Sequence, residues 1–350
     1  MSEQIKSLLI INNVMDSEDA LLSHQVDNVR ALAKYFDAVT VITSRSGLYK
    51  IPSNVSVYST GWKQGQNVRN TIRLLNIFFR FRPRCRFLVF SHMADVQAAI
   101  LSPVLYLMRR RHGLWYAHSH VSVYLRFAGL FVDFILTATS GSCNLKSKKV
   151  VVIGHGVDES EFNFQVHQDN RLEKILTVGR LDPSKHFEKI LDFFMEAKSK
   201  FPELTLTSVG SPSTRNAETE LRDVLELNKD VFDSKSIKLL PSARRSSVSS
   251  ILSTHDVFVH AYLGSLDKSI LEATLCGIPV ITLNYQYHEV FGVWGGSGNK
   301  DSLFSQYVAL RSLSVEQLNM EIERRVNVSL QNHSLTHWSQ EVVARLQNPR

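Results

Sequence analysis

Two short segments hold residue types and spacings that could bind an anion. In ILTVGRLDPSKHFEKILDFF an apolar run from Ile175 to Val178 meets Gly179, and Arg180 and Lys185 then stand at the mouth of a helix. In HDVFVHAYLGSLDKSILEATLCGIPVIT, from His255 to Thr282, a buried strand passes through Gly264, Ser265, Asp267, Lys268 and Ser269 into a helix that carries Glu272. A strand that feeds a helix through small residues aims free backbone N–H groups and the positive end of the helix dipole at one spot. Gly264, Ser265 and Ser269 leave room for a ligand to approach the backbone. Cations at a helix N-terminus oppose its dipole, so Arg180 and Lys185 are better placed with an anion bound than without. Two cations beside such a helix end suit a diphosphate.

These segments need a scaffold that sets them side by side, and the rest of the chain has the rhythm of one. Apolar runs of five to eight residues (SLLIINNV, AVTVIT, VSVYST, RFLVFSH, GLWYAHSH, FILTAT, VVVIG) alternate with helical patterns such as HQVDNVRALAKYF and ADVQAAILSPVLYLMRR. The second half repeats the design with KILTVG, LTLTSVG, SIKLL, DVFVHA and PVITL, and closes on a strongly helical tail. Continuous apolar strands between helices indicate parallel sheets covered on both faces. In open sheets of this kind ligands lie at the carboxyl ends of the strands.

The pair VGRLDPSK and SILEATLCGIPVI resembles the donor-binding half of the family-4 glycosyltransferases, which are retaining enzymes of the GT-B fold. VIGHGVDESEF is similar to the joint at which that family's second domain begins, with His155 in place of an asparagine. The resemblance implies an α/β protein of two Rossmann-like domains whose parallel sheets face a central cleft. It sets an acceptor-side domain at 1–152, a nucleotide-sugar domain at 153–332, and a last helix, about 333–350, crossing back onto the first. It also assigns roles. Arg180 and Lys185 would stabilise the diphosphate leaving group without a metal ion, and Glu272 would accept hydrogen bonds from the nucleotide ribose. His118, at the end of the LWYAHSH strand, would stand near the reacting sugar, with His120 its near competitor and His92 closing the preceding strand. The implied reaction moves a sugar from a nucleotide-diphosphate donor to a glycan or lipid-linked acceptor. A nucleotide-sugar-binding protein without turnover, or a phosphorylase or epimerase on the same fold, are the alternatives.

The chain departs from that family twice. The family carries two glutamates eight residues apart, and here Gly264 stands eight residues before Glu272. Either loop backbone holds the donor sugar, or Asp267 or Lys268 reaches it, or the donor is not a usual hexose. The family's glycine-rich turn after the first strand is also missing, replaced by NNVMDSEDALLSHQ.

Charge is uneven over the 350 residues. Residues 1–150 hold 19 Lys/Arg against 8 Asp/Glu, and residues 151–350 hold 21 against 25. An anionic partner of the first half follows from this asymmetry. The densest stretch, VRNTIRLLNIFFRFRPRCRF, interleaves Arg69, Arg73, Arg80, Arg82, Arg84 and Arg86 with apolar residues, and Arg109 to Arg111 form a second cluster. It reads either as a core-packed helix with a solvated basic face or as an amphipathic surface resting on an anionic membrane. No zinc, helix-turn-helix or RNA-binding signature accompanies the arginines, so nucleic acid is not expected as a partner. No run reaches the ~18 apolar residues that would span a bilayer, and MSEQIKSLLIINNV reads as a first strand. Three widely spaced cysteines, Cys85, Cys143 and Cys276, fit reduced thiols in the cytoplasm, peripheral on the membrane if the basic half docks there. The chain has no dinucleotide-binding, Walker, nucleophile-elbow or zinc-protease motif.

Overall fold

The structure is a computed structural model that describes residues 6–19, 21–233, 236–294 and 299–348. The chain divides into two compact units, Met1–Asp158 with Asn332–Arg350, and Glu159–Gln331.

The first unit is built on seven parallel strands: β1 Ser7–Met15, β2 Ala38–Ser46, β3 Val55–Ser59, β4 Leu88–His92, β5 His112–Trp115, β6 Phe134–Thr137 and β7 Val150–Val152, in the order β3-β2-β1-β4-β5-β6-β7. Alternate residues of β1 serve its two faces, which is why the strand is apolar throughout. Leu8 and Ile10 pack with Val26, Val29 and Leu32 of helix His24–Ala33 and with Trp338, Val342 and Leu346 of helix Leu335–Gln347. Leu9 and Ile11 pack with Leu74 and Phe78 of helix Asn67–Phe81 and with Leu101 and Leu105 of helix Asp95–Leu107.

The second unit has five parallel strands: β8 Lys174–Val178, β9 Thr205–Val209, β10 Ile237–Leu240, β11 Val257–His260 and β12 Val280–Thr282, in the order β10-β9-β8-β11-β12. Its core joins Ile175, Leu206 and Val257 to Phe187, Ile190 and Phe194 of helix Phe187–Lys200 and to Leu303, Tyr307 and Leu310 of helix Leu303–Arg311. Each sheet reverses its winding once, between β1 and β4 and between β8 and β11, and those are the points where open α/β sheets leave a crevice.

Three sequence expectations shift. The first unit runs to Asp158 and not to residue 152, because the segment after β7 remains bonded within it. Val157 N–H donates to His333 O at 2.9 Å and Leu335 N–H to Val157 O at 2.7 Å, while Gly154, at φ 82°, lies so close to Asn332 O that a Cβ would stand 1.5 Å from it. The helical tail is two helices, Val315–His333 and Leu335–Gln347, because Ser334 turns extended and its side chain caps His337 N–H. Residues 349 and 350 of the expected last helix lie outside the described residues. The GLWYAHSH strand ends at Trp115: Tyr116 Oη donates to His120 O at 2.6 Å and turns the chain, leaving His118 in a loop three residues past the strand.

Candidate active site

The site in the second unit assembles at its winding reversal. Past the end of β8, Gly179 folds its carbonyl against Gly210, where a Cβ would stand 1.8 Å from that oxygen, so Gly210 tolerates no side chain. Arg180 follows and pairs with Asp182 at 3.0 Å, with its own side chain 43% exposed. Asp182 is held by Ser213, whose N–H and hydroxyl both donate to it at 2.8 Å. A short turn, Pro183–Lys185, then leads to His186 at φ 52°, a left-handed conformation that is strained for a residue with a Cβ. The turn separates Lys185 from helix Phe187–Lys200 and directs its ammonium toward the loop after β11.

There the ammonium meets two groups. It pairs with the Asp267 carboxylate and lies 3.9 Å from the centre of the Tyr262 ring. Asp267 also faces His260, the last residue of β11, whose Nε2 is 3.5 Å from Oδ2 and whose Nδ1 is 3.0 Å from Thr282 Oγ1. Burial pushes the His260 pKa down despite Asp267, so the imidazole is neutral. The Asp267 carboxylate can only accept, so the ring proton sits on Nε2 facing it, and Nδ1 accepts from the Thr282 hydroxyl, whose oxygen accepts in turn from Asn284 N–H at 2.9 Å. For Asp267 burial pushes upward, but His260 and the Lys185 charge outweigh it and hold the carboxyl well below the usual carboxylate range. Lys185, Asp267 and His260 therefore form a chain of charge-assisted contacts with a fixed carboxylate at its centre.

The loop itself is clamped from behind. Asn284 Nδ2 donates to the carbonyls of Tyr262, Gly264 and Ser265 at 3.0, 3.2 and 3.3 Å, and Gln286 Nε2 to Gly264 O at 2.9 Å. Helix Lys268–Leu275 opens directly after Asp267. Ser269 Oγ is buried near its start and, among the described residues, has no hydrogen-bond partner. Glu272, on the same helix, is 9% exposed and its Oε1 lies 3.3 Å from Arg245 Nη1, while Arg245 Nη2 lies 3.0 Å from Glu161. Burial and the Glu272 charge push the Cys276 thiol, one turn on, up to about 12.

The structure thus groups Gly179, Arg180, Lys185, Gly264, Ser265, Asp267, Lys268, Ser269 and Glu272 at one end of one sheet, and alters three of their expected environments. Lys185 is not a bare cation awaiting a ligand, since Asp267 already neutralises it. Glu272 is not an open carboxylate, since Arg245 engages it. Gly264 does not leave an empty space, since its Cβ position lies 2.1 Å from Tyr262 Oη. His118 belongs to the first unit, where its Nδ1 accepts from His120 N–H at 3.0 Å. His92 is buried and contacts Asn28 Nδ2 at 3.1 Å. Among the described residues, no group of three His, Cys, Asp or Glu side chains has metal-binding geometry. Tyr262, His260 and Arg245 escaped the sequence reading. A polar residue that closes the apolar strand VFVH was a signal for His260, whereas nothing in PSARRSSVSS singles out Arg245.

Tyr262 and Gly264 should behave as one unit. Any side chain at 264 must swing the ring off Lys185, so Gly264→Ala is expected to cost about 1 kcal/mol, the worth of a partly exposed cation–π contact. In the Tyr262→Ala background the same change should cost nearly nothing. Denaturant melts of the four chains of this cycle measure the coupling, and strictly additive effects would contradict the packing.

Residues 158–292, which include every second-unit residue of this site, match the family model of glycosyl transferases group 1. The chain is a glycosyltransferase. No curated protein matches it in sequence. Its fold is that of HepE from Anabaena, solved with UDP and glucose, at TM-score 0.74 and 15% identity over 99% of this chain and 100% of that one. The N-terminal domain of trehalose-6-phosphate phosphatase from Candida albicans gives 0.74 at 12% identity, covering 99% of this chain and 97% of that one. A glycosyltransferase from Rickettsia africae gives 0.70 at 12% identity, covering 98% and 100%. These likenesses define the GT-B fold, two parallel-sheet units in one chain.

Proposed function

We propose that the enzyme is a retaining glycosyltransferase of the family-4 type that moves a sugar from a nucleoside-diphosphate donor to a glycan or lipid-linked acceptor at the cytoplasmic face of a membrane. The observation that carries the donor assignment is the placement of Arg180 and Lys185 at the reversal between β8 and β11, beside the start of helix Lys268–Leu275. On this reading the donor diphosphate takes over Lys185 from Asp267. The bond from the anomeric carbon to the diphosphate breaks, a bond to the acceptor oxygen forms, and the acceptor proton leaves with phosphate or solvent. Negative charge grows on the leaving oxygen, where Arg180, Lys185 and the helix end are fixed in advance. No metal ion is assigned this role. The unpartnered Ser269 hydroxyl suits a phosphate or sugar oxygen. Uridine is the base to test first, because HepE was solved with UDP. His118 is retained as the first-unit residue nearest in role to the reacting sugar. A screen of nucleotide sugars for enzyme-dependent release of nucleoside diphosphate tests the proposal, and no release from any donor with any glycan or lipid acceptor would refute it.

Glu272 is assigned to the ribose, whose contacts persist from ground state to transition state. Glu272→Gln should raise the donor KM about tenfold while kcat changes by less than about threefold. Steady-state kinetics decide this, and a fall in kcat at unchanged nucleotide affinity would assign Glu272 to the chemistry instead.

A further inference from the structure

Three helices cover one face of the first unit's sheet, and their outer surface has no part in donor binding. Helix Asn67–Phe81 buries Leu74 and Phe78 but leaves Val68, Ile72 and Phe79 at 75%, 54% and 51% exposure. Those three fall on one stripe of a helix. Helix Val123–Phe131 buries Leu125 and Ala128, yet Val123, Phe127 and Leu130 are 71%, 47% and 69% exposed on a second apolar face. Between them, helix Asp95–Leu107 ends on Tyr106 and Leu107, at 58% and 81%. Ring contacts join the pieces, with Tyr106 5.9 Å from Phe131 and Phe131 5.3 Å from Phe127. Single exposed apolar residues are ordinary, whereas contiguous stripes with a polar rim mark an interaction surface.

The rim has one sign. From Asn67 to Phe131 the chain has ten arginines, no lysine and one acid, Asp95, which accepts from the Ser122 hydroxyl. Arg69, Arg80, Arg109 and Arg126 are exposed, and among the described residues none of them has a carboxylate at ion-pair distance. Arg109 adopts φ 53° and so turns the chain directly after the protruding Leu107. Its neighbours are engaged elsewhere: Arg110 lies 4.7 Å from the Phe87 ring centre, and Arg111 donates to Arg345 O at 2.8 Å. Among the described residues no helix is long and apolar enough to cross a membrane. Apolar tips rimmed by arginine fit the boundary between lipid phosphates and acyl chains. A free anion would have no use for the tips, and a second copy would bring like charge against like.

We propose that this three-helix face lies on an anionic bilayer, with Leu107, Val123, Phe127 and Leu130 entering the headgroup boundary and the arginines meeting lipid phosphates. It widens the surface expected from Arg69 to Arg86 to helix Asp95–Leu107 and to helix Val123–Phe131, the second of which the sequence did not single out. It deepens the lipid-linked acceptor reading, but vesicle binding requires no sugar transfer, so either can fail alone.

The test is co-sedimentation of the full chain with vesicles of phosphatidylcholine, or of phosphatidylcholine mixed equally with phosphatidylglycerol, at low and high salt. Binding is expected to the mixed vesicles only and to fall as salt rises. Arg109→Ser with Arg126→Ser should weaken it about 30-fold, and Phe127→Ser with Leu130→Ser about tenfold or more. All four side chains are exposed, so thermal melts should match wild type. Lys34→Ser with Tyr35→Ser, exposed on the opposite side of the sheet, should bind as wild type. Absence of vesicle binding, equal binding to neutral vesicles, or equal loss in the control pair would overturn the proposal. So would a solution dimer that the Phe127 and Leu130 changes dissociate, since a second copy would then own the face.

Discussion

Lys185→Ala is expected to lower kcat/KM by about 10²-fold or more, through loss of a cation fixed at the developing diphosphate charge. The change has a second effect, because it leaves the Asp267 carboxylate, 28% exposed, with His260 as its remaining partner in the chain. An inward-facing carboxylate at the anion site would repel phosphate and also destabilise the unit. The two effects separate in the pair Lys185→Ala with Asp267→Asn: the melting temperature should return toward wild type and turnover should not. Arg180→Ala should give a comparable loss of kcat/KM at a smaller cost in stability, since that side chain is half exposed and Ser213 still donates twice to the buried Asp182. Donor-saturation kinetics and thermal melts read both quantities. Recovered turnover in the double variant would mean that Lys185 serves only to neutralise Asp267.

The second large effect concerns acid. His112 and His333 are buried in the first unit, and burial pushes both imidazoles from 6.5 down to about 4, against the weaker opposing pull of Asp133 on His112. Below about pH 6.5 the unfolded chain protonates these rings, while the folded chain keeps them neutral until about pH 4. The unfolded state then binds more protons, so stability falls as pH drops through that window, by up to ~3 kcal/mol for each histidine. His112→Asn should flatten the decline of melting temperature between those limits, whatever it costs at neutral pH. Parallel curves for wild type and variant would show that His112 does not titrate on unfolding.

The strands were legible because a parallel sheet covered on both faces demands unbroken apolar runs, and SLLIINNV or DVFVHA supply them. Strand ends were less legible. GLWYAHSH continues an alternation past Trp115, and only the Tyr116 hydroxyl reaching His120 O shows why pairing stops. Helix Val123–Phe131 escaped notice because it is apolar on two faces and so lacks the contrast that marks a surface helix. At the site, Gly179, Arg180 and Lys185 stood out by local spacing. Their partners did not, since Lys185 and Asp267 are 82 residues apart and meet only through the order of β8 and β11. Gly264 read as an absence in the sequence, and the structure gives it a cause in the Tyr262 ring.

The direct test of the donor site is a calorimetric titration of uridine, UMP and UDP into wild type and the Arg180→Ala, Lys185→Ala double variant. If the two cations hold the second phosphate, wild type should bind UDP at least about tenfold more tightly than UMP, as expected for a charge-assisted contact of ~1.5 kcal/mol or more. The double variant should bind UDP and UMP alike. Equal affinity of wild type for UDP and UMP, or an undiminished preference for UDP in the double variant, would contradict the assignment of Arg180 and Lys185 to the donor diphosphate.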